Sequence, residues 1–213
     1  MLRMSGYDKA LFELRSWTEE LSQAVQEILA EAVQTLENEI EEDWRLKDRQ
    51  IDRMRDRIVN RSLDIMSLQQ LRTVELRWIL GFHRIAQELE RVGDYACDVA
   101  ELSQLKPEHS WPSEILEMGR HLLSMCNFVV EILKPDAKIT IDLTDRDDLL
   151  DEVYASIKHK LLKDPNGNRG ELGLALLMAR TLERTGDHIV NVAETLLFVQ
   201  TGQRRLTTQP SAE

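Results

Sequence analysis

Glu90, Asp94 and Asp98 stand at i, i+4 and i+8, a spacing that puts three side chains on one face of a helix. Glu183, Asp187 and Asn191 repeat it downstream, while Asp48–Asp52 and Asp147–Asp151 form two further i, i+4 pairs. Oxygens gathered this closely repel one another unless they are protonated, paired with cations or bound to a metal. Such donor sets suit hard ions, Mg²⁺, Ca²⁺ and Mn²⁺, and also iron. About 100° per residue turns the Glu90–Asp94–Asp98 stripe roughly opposite the Ile85–Leu89–Val92–Val99 stripe that must face the core. If the carboxylate-bearing helices are neighbours, the stripes line a shallow surface groove.

A second reading stays open. Arg45, Arg49, Arg53, Arg57 and Arg61 recur every four residues beside Asp48, Asp52, Asp56 and Asp64, and pairs such as Arg45–Asp48 and Arg49–Asp52 are ordinary i, i+3 helix ion pairs. A solvated charged face would look like this too, although one chance stripe would not need a twin. Gly93 and Gly186 sit inside the stripes, where glycine costs a helix about 1 kcal/mol relative to alanine. Close helix packing and room for a ligand both account for them.

The elements that must position these residues are helical. Apolar residues at 3-4 spacing run through Tyr7–Ala32, Trp78–Val99, Ile115–Leu133 and Ala175–Leu196, with shorter runs at Ile51–Ile65 and Leu150–Leu161. Six helices follow, at about 7–41, 42–70, 73–105, 111–134, 142–163 and 169–201. Lys138–Leu143 alternates briefly but is isolated and leads into a helix. That helix starts with Thr144 as cap and Asp147 three residues on, or earlier, near Asp136. The fold class is all-α.

The third and sixth helices are copies. Leu89–Glu101 aligns with Leu182–Glu194, identical at eight of thirteen positions, and Asp48–Asp52 aligns with Asp147–Asp151. The chain therefore reads as two tandem three-helix bundles related by internal duplication. Residues 1–106 form the first repeat and 107–203 the second, with a hinge at Pro107–Pro112, and 204–213 a frayed tail.

With 27 Lys and Arg against 38 Asp and Glu, the net charge of −11 argues against nucleic-acid binding and a polybasic membrane anchor. The longest stretch free of Asp, Glu, Lys and Arg, His121–Val130, is far short of a transmembrane helix. Met1–Ser5 lacks the apolar run of a signal peptide, so the expectation is a soluble intracellular protein.

Enzymatic chemistry finds little support. A ferritin-type di-metal centre uses Glu-x-x-His pairs aimed into the core, and the sequence contains none. Cys126 lies on an apolar seam, and Cys97 beside the carboxylates, where negative charge blunts a thiol. The five histidines form no triad or ligand spacing, and His188 reads as a surface residue. No Gly-x-x-x-x-Gly-Lys loop is present, and Asn166–Gly170 reads as a turn rather than an anion site. The expectation is a protein that is not an enzyme.

Taken together, Leu-Glu-Arg-x-Gly-Asp in two copies, Asp48-x-x-Ile51-Asp52, Asp147-x-x-Leu150-Asp151, Glu75-Leu76-Arg77 and the ending Leu197–Gly202 resemble the PhoU family, regulators associated with bacterial phosphate uptake. The resemblance covers nearly the whole chain. It implies iron or zinc clusters, with Mg²⁺ or Mn²⁺ as alternatives, on the bundle surface. The implied ligands are Asp48, Asp52, Glu90 and Asp94 in the first repeat and Asp147, Asp151, Glu183 and Asp187 in the second, with Asp98 and Asn191 as further candidates. The first repeat has Tyr95 and Asp98 where the second has His188 and Asn191, the pair closer to the family. The resemblance also implies a negative regulator of the phosphate-starvation response, a homodimer in the cytoplasm at the inner membrane. Its implied partners are the ATPase subunit of the phosphate ABC transporter and a sensor histidine kinase. A metal-binding helical-bundle adaptor serving another transporter or pathway is the alternative.

Overall fold

The apolar spacing resolves into six helices, with no strand among the described residues, in a computed structural model of the chain: α1 (Gly6–Gln34), α2 (Trp44–Leu68), α3 (Thr73–Ser103), α4 (Ser113–Leu133), α5 (Thr144–Lys163) and α6 (Arg169–Thr201). The structure describes residues 6–68, 70–105, 110–134, 137, 144–163 and 169–202, without the side chains of 68, 144–147, 161 and 169. The Lys138–Leu143 alternation, the Asn166–Asn168 turn and the 204–213 tail lie outside these residues, as do the side chains of Thr144 and Asp147.

The first helix ends at Gln34 rather than near residue 41. Its last turn has no basic residue, and Glu37, Glu39, Glu41, Glu42 and Asp43 follow. Negative charge accumulates where the helix dipole is already negative, which disfavours further turns. Asp43 then starts α2: its carboxylate accepts the backbone N–H of Leu46 at 3.0 Å, satisfying one of the unpaired donors of the first turn. At the other end of the chain α6 closes on Gly202, whose N–H donates to the Phe198 carbonyl at 2.8 Å; its φ of 76° is the left-handed conformation that ends a helix and that glycine adopts without strain.

Packing divides the helices into two sets. α1, α2 and α3 pack on one another, and so do α4, α5 and α6; the sets meet through α3 on α6 and α1 on α4. Each junction joins a helix to its own counterpart in the other repeat, so the duplication in the sequence becomes a pseudo-twofold arrangement in space. The chain is thus two tandem three-helix bundles. The four junction helices share one core, with Leu14, Leu21, Ile79, Ile85, Met118, Leu122, Met178 and Leu182 fully enclosed. Each such side chain contributes about 1.5–3 kcal/mol by burial. α2 and α5 lie outside and attach through Ile51, Ile58 and Ile65, and through Leu150 and Ile157. The α3–α6 crossing is close: a Cβ at Gly81 would sit 2.1 Å from Cγ2 of Val199.

Candidate functional site

Gly93 decides how α2 seats on α3. A Cβ there would lie 3.1 Å from Cγ2 of Ile51, tighter than ordinary contact, so close packing is the role of this glycine. Ile51 is 4% exposed and lies between Asp48 and Asp52 in the motif. Seating it against Gly93 carries both aspartates to the Glu90–Asp94 edge of α3, and the carboxylates of the two helices meet in a seam.

The start of that seam is covered. Only 13% of the Glu90 side chain is exposed, against 33% for Asp94, so the stripe dips beneath its neighbours instead of pointing outward along its whole length. Arg55 does the covering. Its Nη2 lies 2.6 Å from Asp52 Oδ1 and 3.1 Å from Glu90 Oε1, and its Nε lies 3.3 Å from Asp56 Oδ1. Arg91 approaches Glu90 at 3.6 Å and Asp94 at 3.2 Å from the solvent side.

The expected pairing of the arginine ladder is different from the one formed. No ion pair joins Arg45 to Asp48 or Arg49 to Asp52 among the described residues; Arg55 takes Asp52 instead. Arg61 turns to Glu13 of α1 at 2.8 Å, and Arg57 stacks on Trp17 of α1, 3.6 Å from the ring centre. Helix packing selects these partners, because a guanidinium at a seam reaches across to a neighbouring helix as readily as along its own.

Farther along α3, Asp48, Asp94, Cys97, Asp98 and Glu101 surround a cleft of about 320 Å³ with Trp44 and Arg45. Burial, then Glu90 and Asp48, push the Asp94 carboxyl up to about 6. Burial, Glu101 and Asp48 raise Asp98 in the same direction. The Cys97 thiol is pushed up to about 12 by burial and by Asp48 and Asp94; it faces the Trp44 carbonyl at 3.6 Å. Burial alone does the same to Cys126. Neither thiol is a nucleophile at neutral pH.

The second repeat is built from the same parts with a different balance. Glu183 is the most enclosed carboxylate of the set, its side chain 9% exposed. One oxygen pairs with Arg180, while Oε2 is buried and has no hydrogen-bond partner. Burial, followed by the charges of Asp187 and Asp151, raises its pKa. Burial and Asp151 raise that of Asp187. Asp151 and Asp187 are both exposed, and the Asp147 side chain lies outside the described residues.

Whether these residues fit a metal differs between the repeats. An all-oxygen donor set suits a hard cation better than zinc. Among the described residues no three carboxylate, imidazole or thiol side chains are close enough to hold an ion as they stand. In the first repeat a guanidinium already stands between Asp52 and Glu90. In the second, the buried unpartnered Oε2 of Glu183 is an acceptor that a cation would satisfy. Arg55 thus fills the place a cation would take between Asp52 and Glu90, whereas the second set offers one unpartnered oxygen.

Asp98 and Asn191 occupy equivalent positions but different neighbourhoods. Asp98 faces the acidic cleft, whereas Asn191 donates to Glu88 Oε2 of α3 at 3.2 Å. His188 Nδ1 lies 2.7 Å from the same oxygen, and its ring stacks on Tyr95 with centroids 5.6 Å apart. Arg184 donates to the Tyr95 hydroxyl at 3.3 Å. His188 is therefore a half-buried residue of the junction, not a surface histidine. Sequence reasoning missed this cluster and the bridge formed by Arg55. The repeat alignment carried a signal for both, since Tyr95 faces His188 in it and Arg55 faces Tyr154.

Comparison with known proteins decides the family. The PhoU domain matches residues 18–103 and again 115–196, one copy in each three-helix set. The chain belongs to the PhoU family. Among PhoU relatives, the phosphate-specific transport system accessory protein PhoU homolog 1 of Thermotoga maritima is 28% identical over 208 residues, covering 92% of this chain and 90% of its own. The homolog from Clostridium acetobutylicum is 31% identical over 166 residues, 74% of this chain and 76% of its own. The same fold occurs in the crystal structure of PhoU from Pseudomonas aeruginosa, with a TM-score of 0.82, 24% identity and coverage of 92% of this chain and 100% of that one. The phosphate transport system regulatory protein PhoU from Streptococcus pneumoniae gives a TM-score of 0.78 at 23% identity, over 93% and 98%.

Proposed function

We propose that this chain is a non-enzymatic regulatory adaptor of phosphate transport that represses the phosphate-starvation response when phosphate is plentiful. In this reading it links the ATPase subunit of the phosphate ABC transporter to a sensor histidine kinase. It works as a homodimer in the cytoplasm, held at the inner membrane by those partners. The observation that carries the reading is the match of both repeats to the PhoU domain, in relatives named as phosphate transport accessory proteins. Two features of the molecule support it. No described helix is long and apolar enough to cross a membrane, which suits an accessory role. Val74, Leu76 and Leu80 remain exposed at the start of α3, beside a cleft of about 440 Å³ shared with Phe198 of α6, and offer a docking face.

Metal enters this proposal through the seam carboxylates. Asp151, Glu183 and Asp187, joined by Asp147, would hold a hard cation, iron, Mn²⁺ or Mg²⁺, which would neutralise the seam and tie α5 to α6. Zinc is the less suited ion for this donor set.

The test is a reporter of the phosphate-starvation response in cells lacking the protein, grown in phosphate-rich medium. Constitutive expression, returned to repression by the wild-type chain, is the expected result. Normal repression in the deletion strain, with no second homologue present, would reject the proposal.

A further inference from the structure

The groove between the start of α3 and the end of α6 differs from its counterpart at the other end of the same crossing. Leu76, Arg77, Leu80 and Arg84 line it from α3, and Glu194 and Phe198 from α6. Leu76 and Leu80 are 36% and 47% exposed. Under the offset that aligns the repeats, Arg77 and Leu80 correspond to Gly170 and Gly173, and a Cβ at Gly173 would meet nothing within 4 Å. The crossing itself therefore requires neither the leucine nor the guanidinium. The counterpart groove also has the opposite sign, with Glu42, Asp43, Asp98 and Glu101 against Arg45.

At about 100° per residue, the two leucines form a ridge along α3 and the two arginines a row beside it, on the side toward α6. The arginines are seven positions apart, about 10 Å along the helix. Arg77 is seated against Gly202 at the end of α6, where the helix dipole favours a cation, and it forms no ion pair among the described residues. Arg84 reaches the other way, with a 3.5 Å contact to Glu88 and a side chain 47% exposed. Held apart like this, the guanidiniums are spaced for two carboxylates rather than one small anion. Two guanidiniums against the single carboxylate of Glu194 make the groove locally positive on a chain of net charge −11.

Resting on the docking face of the proposed function, we propose that this groove takes an acidic amphipathic helix of a partner protein, laid along α3. Its apolar side packs on Leu76, Leu80 and Phe198, and two of its carboxylates, about two turns apart, pair with Arg77 and Arg84.

Fluorescence anisotropy of a labelled helical peptide, with leucines one turn apart and two glutamates two turns apart, tests this on the full chain. A peptide with lysine in place of both glutamates is the comparison. The wild type is expected to bind the glutamate peptide at least tenfold more tightly than the lysine peptide. Arg77→Glu, Arg84→Glu and Leu80→Ser, each with its helical circular dichroism intact, should each weaken that binding about tenfold or more. The double arginine variant should prefer the lysine peptide. Equal binding of the two peptides, binding of neither, or unchanged binding by the exposed Arg84→Glu variant would overturn the proposal. So would a wild-type dimer that Arg84→Glu or Leu80→Ser separates in the ultracentrifuge, which would make a second copy of the chain the occupant. Peptide binding is read without reference to phosphate, so its failure leaves the reporter test standing, and failure of the reporter leaves the groove standing.

Discussion

Glu88 of α3 and His188 of α6 meet 2.7 Å apart across the junction of the two repeats. Under the pseudo-twofold relation the matching positions are Thr181 and Tyr95, which cannot form an ion pair, so this contact exists on one side of the junction alone. Burial would raise the Glu88 pKa, but hydrogen bonds from His188 and Asn191 and the charges of His188 and Arg84 outweigh it and lower the value. A carboxylate depressed in the folded state stabilises it above the unfolded pKa, and that contribution is lost as pH falls through the folded pKa.

Glu88→Gln should therefore lower stability by about 1–2 kcal/mol at neutral pH and have little effect in strong acid. Urea midpoints at several pH values measure both. An equal loss at acid and neutral pH would remove charge from the explanation.

Asp94 has the opposite sign. Its carboxyl is raised from 3.8 to about 6, so the folded state holds a proton that the unfolded chain releases. Its contribution to stability then falls as pH rises from about 4 to about 6 and stays low above that. Asp94→Asn should stabilise the protein near pH 7.5 by about 1 kcal/mol, after discounting for partial exposure, with little gain at pH 4. Denaturation at the two pH values decides it; a loss at pH 7.5 would show that the Arg91 contact outweighs the repulsion.

Gly81 and Gly93 should respond differently to alanine. At Gly81 the new methyl would lie 2.1 Å from Cγ2 of Val199, and overpacking of this kind costs about 1–3 kcal/mol. Val199→Ala should rescue part of that loss in the double variant. At Gly93 the 3.1 Å approach of Ile51 opposes a helix-propensity gain of about 1 kcal/mol, leaving a net change under about 1 kcal/mol. Thermal melts of the four proteins test the ranking, and a Gly81→Ala variant as stable as wild type would refute the close crossing.

How much of this was legible in the sequence depended on whether the cause was local. Periodicity placed all six helices, because each follows from apolar spacing along one segment. The duplication was readable because Leu-Glu-Arg-x-Gly-Asp recurs intact. The end of α1 was misplaced because apolar spacing does not report the acidic residues after Gln34, which act through the helix dipole. Arg55 was hidden for a different reason: i, i+3 and i, i+4 rules rank partners on one helix, and its second carboxylate stands on another. His188 was hidden likewise, since Glu88 lies a hundred positions away in the chain.

Among the described residues α2 packs only on α1 and α3, and α5 only on α4 and α6, so neither outer helix spans the junction. Amide protons in the four-helix layer should exchange only through global unfolding, while those of α2 and α5 exchange through cheaper sub-global openings. α5, with Leu150 and Ile157 as its fully buried anchors among the described side chains, would exchange fastest. A seam that peels without unfolding the rest of the molecule can report on whatever closes it, and its rate of deuterium uptake is the signal to read.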